Sequence, residues 1–260
     1  MKKYLKVWWL YTINSFEVQL NVRWGLILFL FAKILRFAAF AFFLVVLVSS
    51  TKVLAGYSLD QVILFFLSFN LLDILSQLLF REVYRFRAAV VSGNFDFYLI
   101  KPLNPLFRSL FTGADLLDFI TLIPLLLAVA YFINKLQVVG MINLVGFFLM
   151  LLVGFLVALS FHILVLSLGI LTTEVDNAIF IYRDLIGMGR VPVDIYMEPI
   201  RGLITFIIPV GIMMTFPAKA LMGLLTWPLM IYAVLFVSFL LYLSLKTWQF
   251  AIKRYSSASS

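Results

Sequence analysis

The chain has 260 residues, 64% of them hydrophobic and 12% charged, with a mean hydropathy of +1.11. A soluble domain is about 45–50% apolar and about 25% charged, so too few polar side chains are present to cover a water-soluble enzyme of this size. Several continuous apolar runs exceed the roughly 18 residues that mark a membrane span, and their lack of apolar–polar alternation excludes a β-barrel. The reading is an all-α, polytopic membrane protein. With no cysteine and one histidine, His162, the chain lacks ligands for disulfides, thiolate catalysis, zinc clusters or haem, and no metal site is expected. The net charge of +8 marks cytoplasmic loops in such a chain rather than a nucleic-acid partner.

The chain opens with Lys2, Lys3 and Lys6, followed by an apolar stretch broken by Thr12, Asn14 and Glu17. No small-residue cleavage site follows, so no signal peptide is expected. On a helical wheel Leu5, Trp8, Trp9, Ile13, Phe16 and Leu20 share one side, and Lys3, Lys6, Asn14, Glu17 and Asn21 the other. This pattern predicts an amphipathic helix in the interface, over residues 1–24, with tryptophans at headgroup level and lysines toward anionic lipid. The first span is expected at 29–51, with Lys33 and Arg36 snorkelling from its first turns to the headgroups. A second span is expected at 60–80, a third, containing Pro124, at 114–134, and a fourth at 141–171. The last is expected at 225–246.

Orientation follows from counting lysine and arginine. The N-terminal helix carries Lys2, Lys3, Lys6 and Arg23; the 81–113 loop carries Arg81, Arg85, Arg87, Lys101 and Arg108; the chain end carries Lys246, Lys253 and Arg254. The other side carries Lys52, Lys135 and Lys219, with Arg183, Arg190 and Arg201 unassigned. Even with those three added outside, both termini fall in the cytoplasm, and an even number of crossings is required. Six transmembrane helices result. Hydropathy leaves the fifth open between 200–222, broken by Pro209 and Pro217, and the weaker 176–190 segment. In the second case 191–222 is a re-entrant hairpin, which is tolerated where protein or a water cavity satisfies its backbone.

No GxxxxGK[ST], GxSxG or HExxH pattern occurs, so neither a phosphate loop nor a hydrolytic site is expected. Asp115 and Asp118 sit where a helix N-terminus favours carboxylates. His162, alone in a long apolar helix, reads as a neutral hydrogen-bonding side chain facing another helix. Asn70, Asp73 and Gln77 share one face of the second span. An ionisable group there is a candidate for a translocation path, and the alternative is interhelical glue or a dimer contact.

The 81–113 loop contains REVYRFRAAVVSGNFDFYLIKPLNPLFRSL. Ser92-Gly93-Asn94 forms a turn, and Lys101-Pro102 and Asn104-Pro105 stop any helix. A loop this apolar needs a membrane surface or a partner to cover it.

SGNFDFYLIKPLNPLF resembles the loop after span two in permeases of ABC-2-type ABC exporters, in their branch with a Gly-x-x-Asp, Leu-x-x-Pro, Asn/Ser-Pro pattern. VPVDIYMEPIRGLITFIIPVGIMMTFPAKAL, at 191–221, and NVRW, at 21–24, resemble further family stretches. The departure is Met197-Glu198-Pro199, where the family often has Pro-Gly and an apolar residue. The resemblance implies an N-terminal connecting helix (1–24), a six-span permease domain (25–260) and an external re-entrant hairpin at 191–222 carrying Pro192, Pro209 and Pro217. It implies a cytoplasmic coupling loop at 81–113, with Arg85, Arg87, Gly93, Phe95, Asp96, Phe97, Tyr98, Lys101 and Pro102 as its coupling residues. Phe95, Phe97 and Tyr98 would fill the groove of an ATPase, with Arg87 and Asp96 at its rim.

The implied function is a non-catalytic permease subunit that exports an amphipathic or hydrophobic substrate, such as a drug, lipid-linked molecule or lipopeptide. Its partners would be two ABC ATPase subunits, a second permease chain (identical or paralogous) and membrane lipids, in a plasma (inner) membrane. The chain itself would hold no cofactor; ATP and Mg would belong to the ATPase. The alternative from another class is a stand-alone ion-coupled carrier or channel. Such carriers usually show internal repeats and charged midplane sites, and here no repeat is detectable and Asp73 is the midplane acid.

Overall fold

Apolar runs bounded by polar turns dictate long helices, and the computed structural model bears out an all-α fold. It describes residues 2–111, 113–136, 140–172 and 175–256, without the side chains of 175–177. The amphipathic segment forms α1 (Lys2–Asn21), and after a break at Val22 the first span forms α2 (Arg23–Thr51). α3 (Leu59–Phe80) begins where the Ser58 N–H donates to Gln61 Oε1, a side chain reaching back to the helix start. A 3₁₀ turn (Arg81–Arg85) and the short helices α4 (Phe86–Val91), α5 (Asp96–Ile100) and α6 (Pro105–Leu110) build the basic loop. α7 (Leu116–Lys135), α8 (Met141–Thr172) and α9 (Val175–Gly187) follow. Two 3₁₀ turns (Met188–Arg190, Val193–Ile195), α10 (Ile200–Gly202), two π-helical turns (Leu203–Ile207, Gly211–Thr215) and α11 (Phe216–Leu221) lead to α12 (Trp227–Arg254).

Among the described residues, five helices are long and apolar enough to cross a membrane: α2, α3, α7, α8 and α12. A sixth unit, Ile200–Ile207 with Gly211–Leu221, is bent by 79°. Side-chain contacts define two ends of the bundle. α1, the 81–113 loop and the C-terminus share one, the basic end: Tyr4 packs on Phe107, and Trp248 and Tyr255 pack on Phe95. The 52–58 turn lies at the other, distal end. α9 starts beside α4 and the 81–85 turn. By Asp194 the chain has reached the distal end, where Tyr57 Oη donates to Asp194 at 3.0 Å. The bent unit leaves from there and returns there: Lys219 Nζ bonds Asp194 at 2.8 Å, and Gly223 adjoins Asn143 at the start of α8. So α9 and the irregular backbone through 195 connect the two ends, and α10 and α11 both lie near the Val193–Ile195 turn.

A helix of 13 residues covers about 20 Å, short of the roughly 30 Å hydrocarbon core. The remaining irregular backbone survives because protein surrounds it: the Val193 N–H donates to Thr215 Oγ1 at 3.2 Å, and Tyr196 Oη donates to the Met188 carbonyl at 3.0 Å.

Lipid tails are as apolar as leucine, so packing rather than the hydrophobic effect holds such helices together, and small residues permit close approach. Ser68, Ser76, Ser160 and Ser167 are buried on α3 and α8, the central helices. Gly154 marks the closest approach to the bent unit, since a Cβ there would stand 2.6 Å from the Met213 carbonyl oxygen. α2 is different. Leu44 and Val48 are its buried residues, whereas more than half of α3 is buried.

Candidate functional site: a charged intramembrane groove and a basic-end loop

α2, α3 and α7 do not close on one another, and a groove of about 600 Å³ remains between them. Such a volume suits a small ligand. Phe37, Phe40 and Phe43 of α2, Phe66, Phe69 and Ile74 of α3, and Pro124, Leu125 and Ala128 of α7 supply its apolar wall. Phe66 takes Phe37 and Phe40 at ring distances of 4.9 and 5.1 Å, which sets the groove's depth along α2 and α3. The polar lining is Lys33, Arg36, Asn70, Asp73, Thr121 and Arg190.

Of the face predicted on span two, the structure brings Asn70 and Asp73 to the groove, while Gln77 stands behind them. Asn70 Nδ2 donates to its own helix at the Phe66 carbonyl, 2.7 Å, and Gln77 Nε2 donates to Asp73 Oδ2, 2.8 Å. These two hydrogen bonds run along α3, while the Asp73 carboxylate also acts electrostatically on Arg36 of α2 and Arg183 of α9.

Lys33 does not snorkel as the sequence suggests. Its Nζ lies 2.5 Å from Asp118 Oδ1, and Asp118 is 1% exposed. Arg81 pairs with Asp115 and stands 3.6 Å from Asp118. Asp115 itself caps α7, accepting from the Leu117 N–H at 2.8 Å, as its place before the helix predicts. The two aspartates thus form a closed ionic cluster where α2, α3 and α7 meet. Buried charges persist only when paired in this way.

Arg190 is the groove residue that sequence reasoning left unplaced. It follows the short α9, and its guanidinium lies 5.9 Å from the Phe40 ring, halfway along α2. An arginine at mid-membrane costs about 2.5–3.5 kcal/mol on insertion scales, so it is placed there only beside a cavity or a partner. The available signal was length: a helix too short to span must leave its following residues inside the bundle. His162 lies away from the groove, with Nδ1 2.7 Å from the Ala158 carbonyl of its own helix and Phe80 and Tyr182 around the ring.

At the basic end the 81–113 loop folds into three short helices. Gly93 supplies a left-handed turn at φ 75°, which a glycine adopts without steric cost. Asn104 caps α6 by accepting from the Leu106 N–H at 2.8 Å, and Pro105 occupies the first turn. Phe95 points inward, fully buried against Phe86, Tyr98, Trp248 and Tyr255. Tyr98 is half-buried with the Arg108 guanidinium 4.9 Å from its ring, and burial raises its hydroxyl pKa. Asp96 faces Tyr255, whose hydroxyl is pushed up to about 12 by burial and by that carboxylate. The outward surface holds Arg85, Arg87, Val91, Phe97, Ile100, Lys101 and Pro102; Ile100 is 75% exposed and Phe97 55%. The Pro102 carbonyl accepts from Lys3 Nζ at 2.7 Å, tying α1 to the loop. α1 also turns Tyr4 and Phe16 onto Phe107 and Phe119, while Leu5, Trp9, Ile13 and Leu20 stay exposed. Its predicted apolar side is thereby shared between protein and surroundings.

The prolines expected in the hairpin have separate places. Pro192 lies outside the bent unit and precedes the Val193–Ile195 turn, Pro209 lies at the bend, and Pro217 is in the first turn of α11.

Neither curated proteins nor solved structures match the chain. A family model described as ABC-2 family transporter protein matches residues 34–259, which takes in the groove apart from Lys33, the loop and the bent unit. The chain belongs to the ABC-2 family of transporter proteins, as the multi-pass permease subunit of an ABC transporter that associates with an ABC ATPase.

Proposed function

We propose that this permease exports an amphipathic or hydrophobic molecule, and that the α2–α3–α7 groove receives it. The observation that carries the reading is the groove's lining, an aromatic wall with a few fixed polar groups at membrane depth. Outward transport is supported by the resemblance of the loop and of 191–221 to export permeases. The excess of lysine and arginine at the basic end supports a cytoplasmic location for both termini in a plasma (inner) membrane. One chain has one 81–113 loop, so two nucleotide sites call for two permease chains, identical or paralogous, on two ATPase subunits. ATP and Mg belong to those subunits.

The loop's outward row of Val91, Phe97 and Ile100 is the face we assign to the ATPase, with Arg85, Arg87 and Lys101 beside it. Aromatic and arginine side chains dominate such interfaces, where truncation costs about 2 kcal/mol or more. Phe95 holds this face in place from within.

The test uses the permease–ATPase complex in proteoliposomes. Hydrolysis is expected from the complex and not from the permease alone, with ATP-driven movement of an amphipathic dye toward the side opposite the ATPase. Phe97→Ala with Ile100→Ala should leave membrane insertion intact and detach the ATPase or uncouple transport. Vigorous hydrolysis by the isolated permease, or transport of small inorganic ions in place of amphiphiles, defeats the proposal.

A further inference from the structure

The charges in the groove do not balance. Lys33 is committed to Asp118, and Asp73 is the acid in the lining, with one oxygen already accepting from Gln77. Arg36 and Arg190 both reach the groove from exposed positions, and among the described residues neither has a carboxylate within salt-bridge distance, Asp73 acting on Arg36 from further away. They stand at different depths. Arg36 lies one helical turn before Phe40, whose ring Arg190 faces, so the two sit about 6 Å apart along the axis of α2. Asp73 can neutralise at most one of them.

A guanidinium in an apolar groove gains from an anion far more than it would in water, because the surroundings screen little. Its planar fork matches phosphate and carboxylate oxygens two at a time. The Phe40 face already supports one side of Arg190, which leaves the hydrogen-bonding edge for a ligand. A cationic amphiphile would meet an excess of positive charge here, and a neutral one would leave at least one guanidinium without an anionic acceptor.

We propose that the groove binds amphiphiles with an anionic headgroup, phosphate or carboxylate, held by Arg36 and Arg190 with the alkyl chain along Phe37, Phe43 and Phe66. The ligand is the transported molecule and not a resident bilayer lipid, so the inference rests on the proposed export function and narrows its substrate class.

The experiment uses the full chain in phosphatidylcholine nanodiscs and a photoreactive dodecyl phosphate, with labelled residues mapped by mass spectrometry. Labelling should fall on α2, α3 and α7 beside the groove. Dodecyl phosphate should displace the probe, whereas dodecyltrimethylammonium and dodecyl maltoside at equal concentration should not. Arg190→Gln and Arg36→Gln should each weaken binding at least tenfold. Arg190→Lys, which keeps the charge, should retain part of it, and thermal melts identify any variant that fails to fold.

Equal displacement by dodecyl maltoside, or unchanged binding in the Arg36→Gln/Arg190→Gln variant, overturns the proposal. So does displacement by phosphatidylglycerol in the nanodisc at matched mole fraction, which would mark a resident-lipid site. Chain-to-chain cross-links through groove residues in place of probe labelling would assign the groove to a second copy and likewise defeat it. No ATPase takes part in this assay. A groove that binds dodecyl phosphate in a complex that transports nothing would refute export while leaving the ligand chemistry intact, and the reverse result would refute the ligand chemistry alone.

Discussion

Lys33 and Arg36 lie one turn apart on α2 and face the same side, yet they meet opposite fates. Lys33 ends on a buried carboxylate, with Arg81 and Asp115 completing a closed cluster. Arg36 lines an aromatic groove with Arg190 and no ion-pair partner among the described residues. The difference teaches that an intramembrane charge is not functional by its presence. A paired one positions helices, and an unpaired one beside a cavity has binding capacity left over.

The most severe way to break this contrast is to open the closed cluster. Asp118→Asn leaves Lys33 and part of the Arg81 interaction without a counter-charge. Removing one partner of a buried pair costs about 3–5 kcal/mol, so the purified permease should unfold at clearly lower temperature or denaturant. An unchanged unfolding midpoint would show that the pair contributes no net stability.

Removing both charges sharpens the point. Lys33→Met with Asp118→Leu should recover stability to within about 1 kcal/mol of the parent, because well-packed apolar replacements of buried pairs are often neutral. Arg81 keeps Asp115 in that variant. If the double variant is as unstable as Asp118→Asn alone, the cluster does more than neutralise charge.

The open side should respond in the other way. Arg36→Gln should change unfolding by less than about 0.5 kcal/mol, and Arg190→Gln by no more than the roughly 0.5–1 kcal/mol of its contact with the Phe40 ring, while both reduce substrate-stimulated hydrolysis by the complex. A large stability loss would move these arginines into the structural class. The smallest effect belongs to the exposed pair Lys135–Asp60 at 2.6 Å, with Lys135 45% exposed. Lys135→Gln should alter neither the unfolding midpoint nor transport, since exposed pairs contribute little.

The loop repeats the lesson with aromatics. Phe95 and Phe97 are two residues apart in one apolar run, and sequence reading treats them alike. In the fold one is fully buried between α4 and the C-terminal helix, and the other is half exposed. The direction of each follows from the Gly93 turn and the start of α5, which only the backbone course specifies.

The amino-acid sequence by itself determined what is local and additive. Runs such as 141–171 exceed the bilayer's thickness whatever surrounds them, so the long spans were legible, although α2 starts six residues earlier than expected and α12 runs eight residues further. Asp115 announced a helix start, and the lysine and arginine count pointed to an orientation without any structure; Asn104-Pro105, which reads as a helix stop, instead caps and opens α6. Tertiary structure decided what depends on neighbours distant in the chain. Lys33 finds Asp118 at a sequence separation of 85, Asp194 joins the 52–58 turn to α11, and Arg190 reaches Phe40 through a stretch too irregular for hydropathy to describe. Hydropathy weighs each residue against lipid; whether a charge is quenched or left open depends on which side chain stands opposite it, and that is fixed only when the helices pack.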